Sequence, residues 1–345
     1  LSLSHQLYAS LFTRLVSEYS TSKSTFYDES QLRNGLDLRY SKQVPGGRIN
    51  IGTAIYDHRL RHESEPSDRS IAREELLLSD GKPVLLGNAF IQTETIVLTD
   101  VTGTVIYQLG FDYLLFIRGD FIEVQRIPGG LIQDGATVYA RYTVRQPAAY
   151  HFTMRRKHFN ISLRTLANHF EVYFNYSEQS YDNLKVTDKV VLDRFYRRVW
   201  GARLDKGILT MGAEWDNHQS SVMPYDMYFL FLALQGNAGS KLHYALHSSF
   251  RDIRHNQESD RQQYGDLGLR LNLVLSPSSR LAFDIAYRKQ DGRQIELGLL
   301  TSRLELQTTY RRLSLVCGIE NYSRDYLGEE VDVRGLYLRI VRKFQ

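Results

Sequence analysis

Apolar and polar side chains alternate along much of this chain. The first segment places on one face Leu1, Leu3, Leu7, Ala9, Leu11, Leu15 and Tyr19. Its other face carries Ser2, Ser4, Gln6, Ser10, Arg14 and Glu18, with Phe12 and Val16 as exceptions. The same alternation recurs over residues 32–40, 49–55, 242–250, 267–275 and 281–287. Because successive side chains of a strand point to opposite faces, the pattern predicts β-strands with one apolar and one polar face.

The length of these segments and their connections favour strands that cross a membrane. The segments run for about 9 to 16 residues, whereas soluble strands average about 5 to 6 and bilayer-spanning strands need about 9 to 11. Longer polar connections alternate with tight turns, which are expected near residues 44–47, 166–169, 205–207, 236–240, 276–279 and 310–312. Aromatic residues gather near strand ends, as in an interfacial girdle, at Tyr19, Tyr40, Phe250, Tyr264, Tyr287, Tyr310 and Phe344.

These features predict an all-β fold: an antiparallel transmembrane β-barrel of about fourteen strands with an inserted small β-sandwich domain. The alternative is a soluble antiparallel sheet, which also alternates because one of its faces is wet. We expect residues 1–62 to supply barrel strands one to three and residues 149–345 to supply strands four to fourteen. The insert is expected at residues 63–148, in an extracellular loop or plugging the mouth. The expected location is the outer membrane of a Gram-negative bacterium, integral in its lipid.

The composition narrows the class of protein to which this chain can belong. The 345 residues include 23 Tyr and 16 Phe against 7 Pro, which favours strands. Mean hydropathy is −0.36, and the longest apolar run, residues 227–234, is far shorter than the about 18 residues of a spanning helix. A dispersed net charge of +4 argues against a nucleic-acid partner. The single cysteine, Cys317, excludes an intramolecular disulfide and a Cys-based metal site. We expect no metal and no cofactor.

No signal peptide precedes Leu1, where a strand pattern starts directly. We therefore expect a processed product or a fragment.

Between residues 63 and 148 the pattern changes to short strands separated by Gly and Asp turns. Strands are predicted at residues 95–98, 104–109, 113–117, 121–127 and 136–144. The charged segment 62–75 before them is expected to form a flexible tether or a short exposed helix.

Residues 104–144 carry the sequence TVIYQLGFDYLLFIRGDFIEVQRIPGGLIQDGATVYARYTV. This stretch resembles the repeated β-sandwich modules of bacterial surface proteins, in which a Gly-x-Asp-Tyr turn joins two strands. The resemblance implies a compact sandwich and assigns no function. A mobile surface module, a fixed plug and a domain that merely decorates a long loop all stay open.

Charged side chains of the polar face would line the lumen of a barrel. The candidate lining residues are Arg33, Arg39, Arg48, Lys241, His243, Arg270, Arg280, Asp284, Arg288 and Arg339. Basic groups exceed acidic ones on this face, which predicts a weak preference for anions in a water-filled pore. The alternative is that arginines and carboxylates on neighbouring strands pair into ladders that brace the wall.

The chain ends in GLYLRIVRKF, residues 335–344, followed by Gln345. This pattern resembles the terminal strand of outer-membrane barrels, which ends in an aromatic residue and is read by the assembly machinery. The resemblance implies that machinery as a partner, with an assembly signal at Gly335, Leu338, Ile340 and Phe344. The departures are Arg342 on the expected apolar face and Gln345 after the phenylalanine.

Two constellations bear on catalysis. His247 and Ser249 share one strand face, with a spacing similar to that in outer-membrane phospholipases, but Phe250-Arg251 stands where Asn-Gly follows the serine there. A polar strand face is the simpler interpretation. The second constellation, Asp216, Asn217 and His218 with Asp226 nearby, loosely resembles the Asp and His pairs of omptin-like surface proteases. Turn chemistry in a loop is its simpler interpretation.

Three functions follow, in order of preference. The first is a channel or porin-like transporter for small solutes, anions included. The second is a membrane anchor or envelope-assembly component whose domain at 63–148 binds a surface or envelope protein. The third is an outer-membrane hydrolase; we expect no enzyme.

Overall fold

A computed structural model of the chain describes residues 1–23, 27–64, 67–80, 84–146, 149–186, 191–256, 260–292, 295–311 and 313–342. Within those ranges every regular element is a β-strand, as the alternation predicts. A search of the same ranges for a helix that could span a membrane, by its length and apolar character, finds none.

The described part of the chain forms twenty-one strands in three sheets. Their bounds are β1 Ser2–Leu7, β2 Leu11–Lys23, β3 Tyr27–Val44, β4 Gly47–Ser64, β5 Ser67–Leu78, β6 Val84–Leu85, β7 Ile91–Thr99, β8 Tyr113–Arg118, β9 Phe121–Arg126, β10 Ala136–Gln146, β11 Ala149–Thr165, β12 Phe170–Val186, β13 Phe195–Lys206, β14 Leu209–Ser220, β15 Tyr225–Ala238, β16 Leu242–His255, β17 Asp260–Ser276, β18 Ser279–Gly292, β19 Ile295–Tyr310, β20 Leu313–Tyr326 and β21 Glu329–Arg342.

The main sheet runs in the order β1-β2-β3-β4, then β11 through β21 in sequence. It therefore contains fifteen strands among the described residues, where the sequence pattern predicts about fourteen. Two smaller sheets, β5-β10-β7 and β6-β9-β8, lie between β4 and β11 in the chain. The chain divides into two compact units. The first comprises Leu1–Asn168, Tyr173–Trp200 and Asp216–Tyr225, and the second comprises His169–Val172, Gly201–Trp215 and Asp226–Gln345.

In the second unit, the register aligns apolar side chains of successive strands into rows. One row on one face contains Tyr244, Leu271, Phe283, Leu304, Ile319 and Leu336, on β16 to β21 in order. The next row on that face contains Leu242, Leu273, Leu281, Leu306, Cys317 and Leu338. We call this side the apolar face and the opposite side the polar face. Cys317 lies on the apolar face.

The first unit follows the same rule over β2, β3, β4 and β11. Leu15, Leu36 and Ile55 lie side by side on its apolar face. The adjacent row on its polar face contains Arg14, Asp37, Ala54 and His158. Cross-strand pairs of this kind fix the register, because a slip of one residue would exchange the two faces.

Strands β5 to β10 share one hydrophobic cluster. Its buried members come from both small sheets: Leu76, Leu78, Leu86, Ile96, Leu98, Tyr113, Ile122, Val124, Ile132, Val138, Ala140, Tyr142 and Val144. We refer to residues 67–146 as the insert. The described residues of the insert include buried ion pairs, in which Arg118 donates to Glu123 over 2.7 Å and Arg126 donates to Asp80.

The Gly-x-Asp-Tyr turn before β8 has a clear physical basis. Gly110 has a φ of +82°, a conformation that favours glycine. The Asp112 carboxylate accepts from the backbone N–H groups of Gln108 and Leu131, each over 2.8 Å. Tyr113 is buried in the cluster. The motif therefore joins β8 to two loops of the insert.

Three local expectations are wrong. The first predicted strand is a hairpin of β1 and β2, turning at Tyr8 with a φ of +54°. Leu3 pairs with Leu15 and Leu7 with Leu11, so odd positions keep one face through the turn and the alternation conceals it. Four strands, not three, thus precede the insert.

The other two errors lie in the insert. The segment 62–75 is expected as a tether or helix, but residues 62–64 end β4 and residues 67–75 lie in β5, where Ile71 packs on the hydrophobic cluster; residues 65–66 lie outside the described residues. The predicted strand at residues 104–109 forms only isolated bridges, between Thr99 and Ile106 and between Leu109 and Tyr113.

Tyr142 gives the insert a testable dependence on pH. Its hydroxyl donates to Glu74 and accepts from the Asn88 amide over 2.6 Å. Burial, followed by the hydrogen bond to Glu74, raises the pKa of Tyr142 well above its usual value. The unfolded chain ionises this tyrosine near pH 10, whereas the folded insert resists ionisation. The stabilisation is therefore complete below about pH 10 and is lost as pH rises toward the folded-state pKa.

We expect cleavage of the insert by an alkaline-tolerant protease to accelerate as pH rises above about 10 in the folded full chain. In Tyr142→Phe the insert should be about 1 to 2 kcal/mol less stable at neutral pH, with a flatter alkaline dependence. An unchanged pH dependence in that variant would contradict the assignment.

Candidate functional site: the polar face and the insert seat

Charged side chains cross the polar face of the second unit as a ladder. Arg270, Asp284, Arg303 and Glu320 occupy directly paired positions on β17, β18, β19 and β20. Arg270 donates to Asp284 over 2.5 Å, and Arg303 lies 3.8 Å from Glu320. Because the charge alternates across four strands, each arginine side chain has a carboxylate beside it and is expected to pair within the sheet.

Other charged residues of this face are also paired. Arg288 donates to Asp266, which also accepts from the Ser249 hydroxyl over 3.2 Å. Arg280 donates to Gln307 over 2.8 Å. These contacts support the alternative in which arginines brace the wall, and they weaken the argument from charge counting for anion preference.

Tyr337 shows how aromatic side chains cover glycines on the polar face. Its hydroxyl donates to Glu305 over 2.8 Å, two strands away, and its ring lies across Gly318 on the strand between them. A Cβ at Gly318 would clash with that ring. His247 covers Gly268 in the same way. Covering a glycine with a neighbouring ring is a known means of fixing strand register.

In the first unit, the polar face carries an ion pair within β3. Arg39 donates to the Asp37 carboxylate over 2.7 and 3.2 Å, and Asp37 is buried. The Arg33 guanidinium lies 5.3 Å from the centre of the Tyr56 ring, which itself covers Gly35. A cavity of about 590 Å³ adjoins the ion pair and reaches Phe12, Gly52 and Asn160.

The insert lies against the polar face of β4 and β11 in the first unit. Phe90 and Phe121 of the insert line one cavity, of about 220 Å³, together with Leu60, Tyr150 and Phe152 of the main sheet. Next to it His62 is fully buried, stacks on Tyr150 with ring centres 4.8 Å apart, and contacts Glu29 over 3.2 Å. We call the insert seat the place where Phe90 and Phe121 meet Leu60, Tyr150 and Phe152, together with the adjacent His62.

The outer side of the β8–β9 hairpin is buried as well. Phe116, Arg118, Phe121, Glu123 and Gln125 point away from the hydrophobic cluster, yet each is at most 9% exposed. A sheet face this polar is exposed in a freely mobile module. Its burial, together with the insert seat, favours a docked insert.

The structure places the predicted lining residues as follows. Nine share the polar face, three in the first unit and six in the second: Arg33, Arg39, Arg48, His243, Arg270, Arg280, Asp284, Arg288 and Arg339. The tenth, Lys241, lies in the turn before β16 rather than in a strand. That these residues line a pore stays a prediction.

The residues of the expected assembly signal divide between the faces of β21. Leu338 and Ile340 lie on the apolar face, where they are exposed, and Gly335 lies opposite Glu320 on the polar face. Arg342 shares the apolar face, as expected. Phe344 lies outside the described residues.

Both hydrolase-like constellations are held by structural contacts. Ser249 donates to Asp266 while His247 covers Gly268, so each turns to the neighbouring strand. Asp216 lies in β14 and not in a loop. Its carboxylate is fully buried and accepts a hydrogen bond from Arg197 over 2.8 Å. The His218 ring packs 5.3 Å from Phe195 and 5.0 Å from Tyr225. These contacts do not test the hydrolase hypothesis.

Sequence reasoning missed the cavity near Asp37 and the insert seat. Both depend on strands that are distant in the chain but near each other in the sheet, such as β3 and β11 on either side of β4. The small residues Gly52 and Ala54 at alternate positions of β4 are a usable signal for the cavity. Across the described ranges, no cluster of three or more His, Cys, Asp or Glu is arranged to hold a metal ion.

Comparison with known proteins adds little. No family model matches the chain. No curated protein matches it either. Among solved structures, the chain is similar to the β domain of the Bordetella autotransporter BrkA, at 8% identity and a TM-score of 0.22, over 97% of this chain and 99% of that one. Likeness at that level supports no argument about function.

The ladder can be tested at its centre. We expect Asp284→Asn to reduce the free energy of unfolding by about 0.5 to 1 kcal/mol, because both partners are partly exposed and solvent screens them. Urea unfolding at low and at high salt measures the loss, which should shrink as salt is added. Asp332→Asn, on the apolar side of β21, is the control and should leave stability unchanged. Equal losses in both variants would refute the ladder.

Proposed function

We propose that this chain is an integral outer-membrane β-barrel whose wall is the fifteen-stranded sheet. The observation that carries the proposal is the exposed apolar face, which a water-soluble sheet would bury. Leu336 is 82% exposed, and Leu338, Ile340, Ile319 and Leu267 are each more than half exposed. Closure of the sheet on itself is part of the proposal, since it removes the unpaired edges that β1 and β21 would present.

The height of the apolar face suits a bilayer. On β17 it runs over nine residues from Leu267 to Leu275, and the eight steps between them span about 27 Å at about 3.4 Å per residue. Tilted strands reduce that span, and the apolar band of known barrels is about 25 Å tall. On β21 the same side is polar at Glu330, Asp332 and Arg334 and apolar at Leu336, Leu338 and Ile340. On this strand the proposed lipid-facing band therefore ends between Arg334 and Leu336.

The proposed function is a channel for small solutes, with the insert docked in its mouth as a plug. The polar face would line the lumen, and the paired charges on it would make the pore weakly selective. The insert seat lies where the end of β4 and the start of β11 meet the insert. We propose in addition that the two small sheets form the sandwich that the sequence resembles.

Adjacent residues of β17 test which side meets lipid. Leu271 lies at the middle of the apolar face, and Asn272 lies on the polar face beside it. Leu271→Arg should cost about 2 to 4 kcal/mol of folding stability in liposomes, because it places a charge in hydrocarbon. Asn272→Arg is the matched control and should stay within about 1 kcal/mol of the native chain.

Unfolding in urea from liposomes measures both variants. Equal effects, or a larger effect at Asn272, would contradict the membrane wall.

Planar-bilayer recording tests transport. The full chain should conduct weakly or in brief openings, and deletion of residues 63–147 should give a stable, larger conductance because the plug is gone. Reversal potentials in a salt gradient should show modest selectivity, and a clear cation preference would end the anion hypothesis. Absence of conductance from both forms, in preparations that fold, would exclude a channel.

One observation favours the second candidate, an anchor whose insert binds an envelope or surface protein. The end of the insert away from β4 and β11 exposes a set of apolar side chains: Val101, Val105, Ile106, Leu109, Phe111 and Leu131. Exposed apolar side chains grouped on one tip are typical of interaction sites. A non-conducting barrel that retains the insert would favour this candidate.

A further inference from the structure

We propose that the cavity on the polar face of β2, β3, β4 and β11 binds a neutral, hydroxyl-rich solute of mono- or disaccharide size. We name it the wall cavity. The inference deepens the proposed channel by naming the solute class, and it rests on that proposal for its place on a transport path. At about 590 Å³ the wall cavity falls within the range of small-ligand sites.

The register explains why a cavity exists there. One polar-face row contains Phe12, Arg39, Gly52 and Asn160, and the next contains Arg14, Asp37, Ala54 and His158. Gly52 therefore lies inside the first row and Ala54 inside the second, and their small side chains leave space above the polar face. Asn160 lies across Gly52, where a Cβ would clash with its amide, so a hydrogen-bonding group covers this position.

The charges in the wall cavity cancel. Asp37 and Arg39 satisfy each other through two hydrogen bonds, and the Asp37 side chain is only 11% exposed. An anion that approaches this pair meets the Asp37 carboxylate beside the Arg39 guanidinium, and a cation meets the Arg39 guanidinium beside the carboxylate, so neither finds an unopposed charge. A neutral ligand can hydrogen-bond to the pair without breaking it.

The other polar groups are neutral donors and acceptors. Asn50 links Ser41, over 2.8 Å, to Ser162, over 3.2 Å, and Gln6 and Asn160 also line the cavity. Amides and hydroxyls both donate and accept, which matches the hydroxyl groups of a sugar. They offer no net charge to an ion.

Aromatic rings complete the match. Phe12 and Tyr56 border the wall cavity, and Tyr56 is held by the Arg33 guanidinium and packed over Gly35. A sugar ring has hydroxyl edges and an apolar C–H face. The rings can pack on that face while the amides bind the edges, a combination typical of small-molecule sites.

Binding is tested on the full chain in detergent by isothermal titration with three probes: maltose, which is neutral, gluconate, an anion, and arginine, a cation. We expect saturable maltose binding and at least tenfold weaker binding of both charged probes. Ala54→Phe should fill the cavity and weaken maltose binding at least tenfold. Ala286→Phe, on the polar face of β18 in the second unit, is the matched control and should bind maltose as the native chain does.

A second variant guards against misfolding. Asn160→Leu keeps the branched shape of the side chain but removes its hydrogen-bonding groups, and we expect about a fivefold loss of maltose binding with unchanged urea unfolding. Tighter binding of gluconate or arginine than of maltose would overturn the inference, as would equal maltose binding by Ala54→Phe and Ala286→Phe.

The outcome is separable from that of the channel proposal. Titration in detergent requires no conduction, so a conducting chain that binds no maltose would refute only the wall cavity's role. Maltose binding by a chain that never conducts would refute the channel and leave the binding site.

Discussion

A strand that crosses a bilayer must satisfy every backbone N–H and C=O group through its neighbours, because acyl chains offer no hydrogen-bond partner. In the proposed membrane location, that constraint accounts for the main sheet, in which each strand from β17 to β20 is paired along nearly its whole length on both sides. Once the backbone is paired, side chains have only two directions. In the proposed barrel, the alternation in sequence then decides which side meets lipid and which meets water.

The same register organises the polar face. Rows of side chains bring Arg270, Asp284, Arg303 and Glu320 together, although they are spread over β17 to β20. They also place Tyr337 over Gly318, and they leave the wall cavity where Gly52 and Ala54 lie in adjacent rows. Positions on the polar face can therefore serve either to brace the sheet or to bind a solute. Long paired side chains stiffen the wall, and short ones open it to a solute.

The sequence predicts well those strands whose alternation is regular, such as β16, β17 and β18, since side-chain direction is a local property. It misses the β1–β2 turn because a hairpin pairing Leu3 with Leu15 keeps the same period. It misplaces a strand at residues 104–109, where alternation belongs to an exposed tip. The sequence signals the wall cavity only through the small residues Gly52 and Ala54, and it gives no signal for the insert seat, because both depend on which distant strands become neighbours.

Site-directed fluorescence along β17 tests the two-sided wall most directly. Single cysteines at residues 266–275, in a Cys317→Ser background, would carry a probe in liposomes and be quenched by nitroxide lipid or by aqueous iodide. The account predicts a period of two, with lipid quenching at Leu267, Leu269, Leu271, Leu273 and Leu275 and iodide quenching at the positions between. Uniform access of iodide to both sets would contradict it.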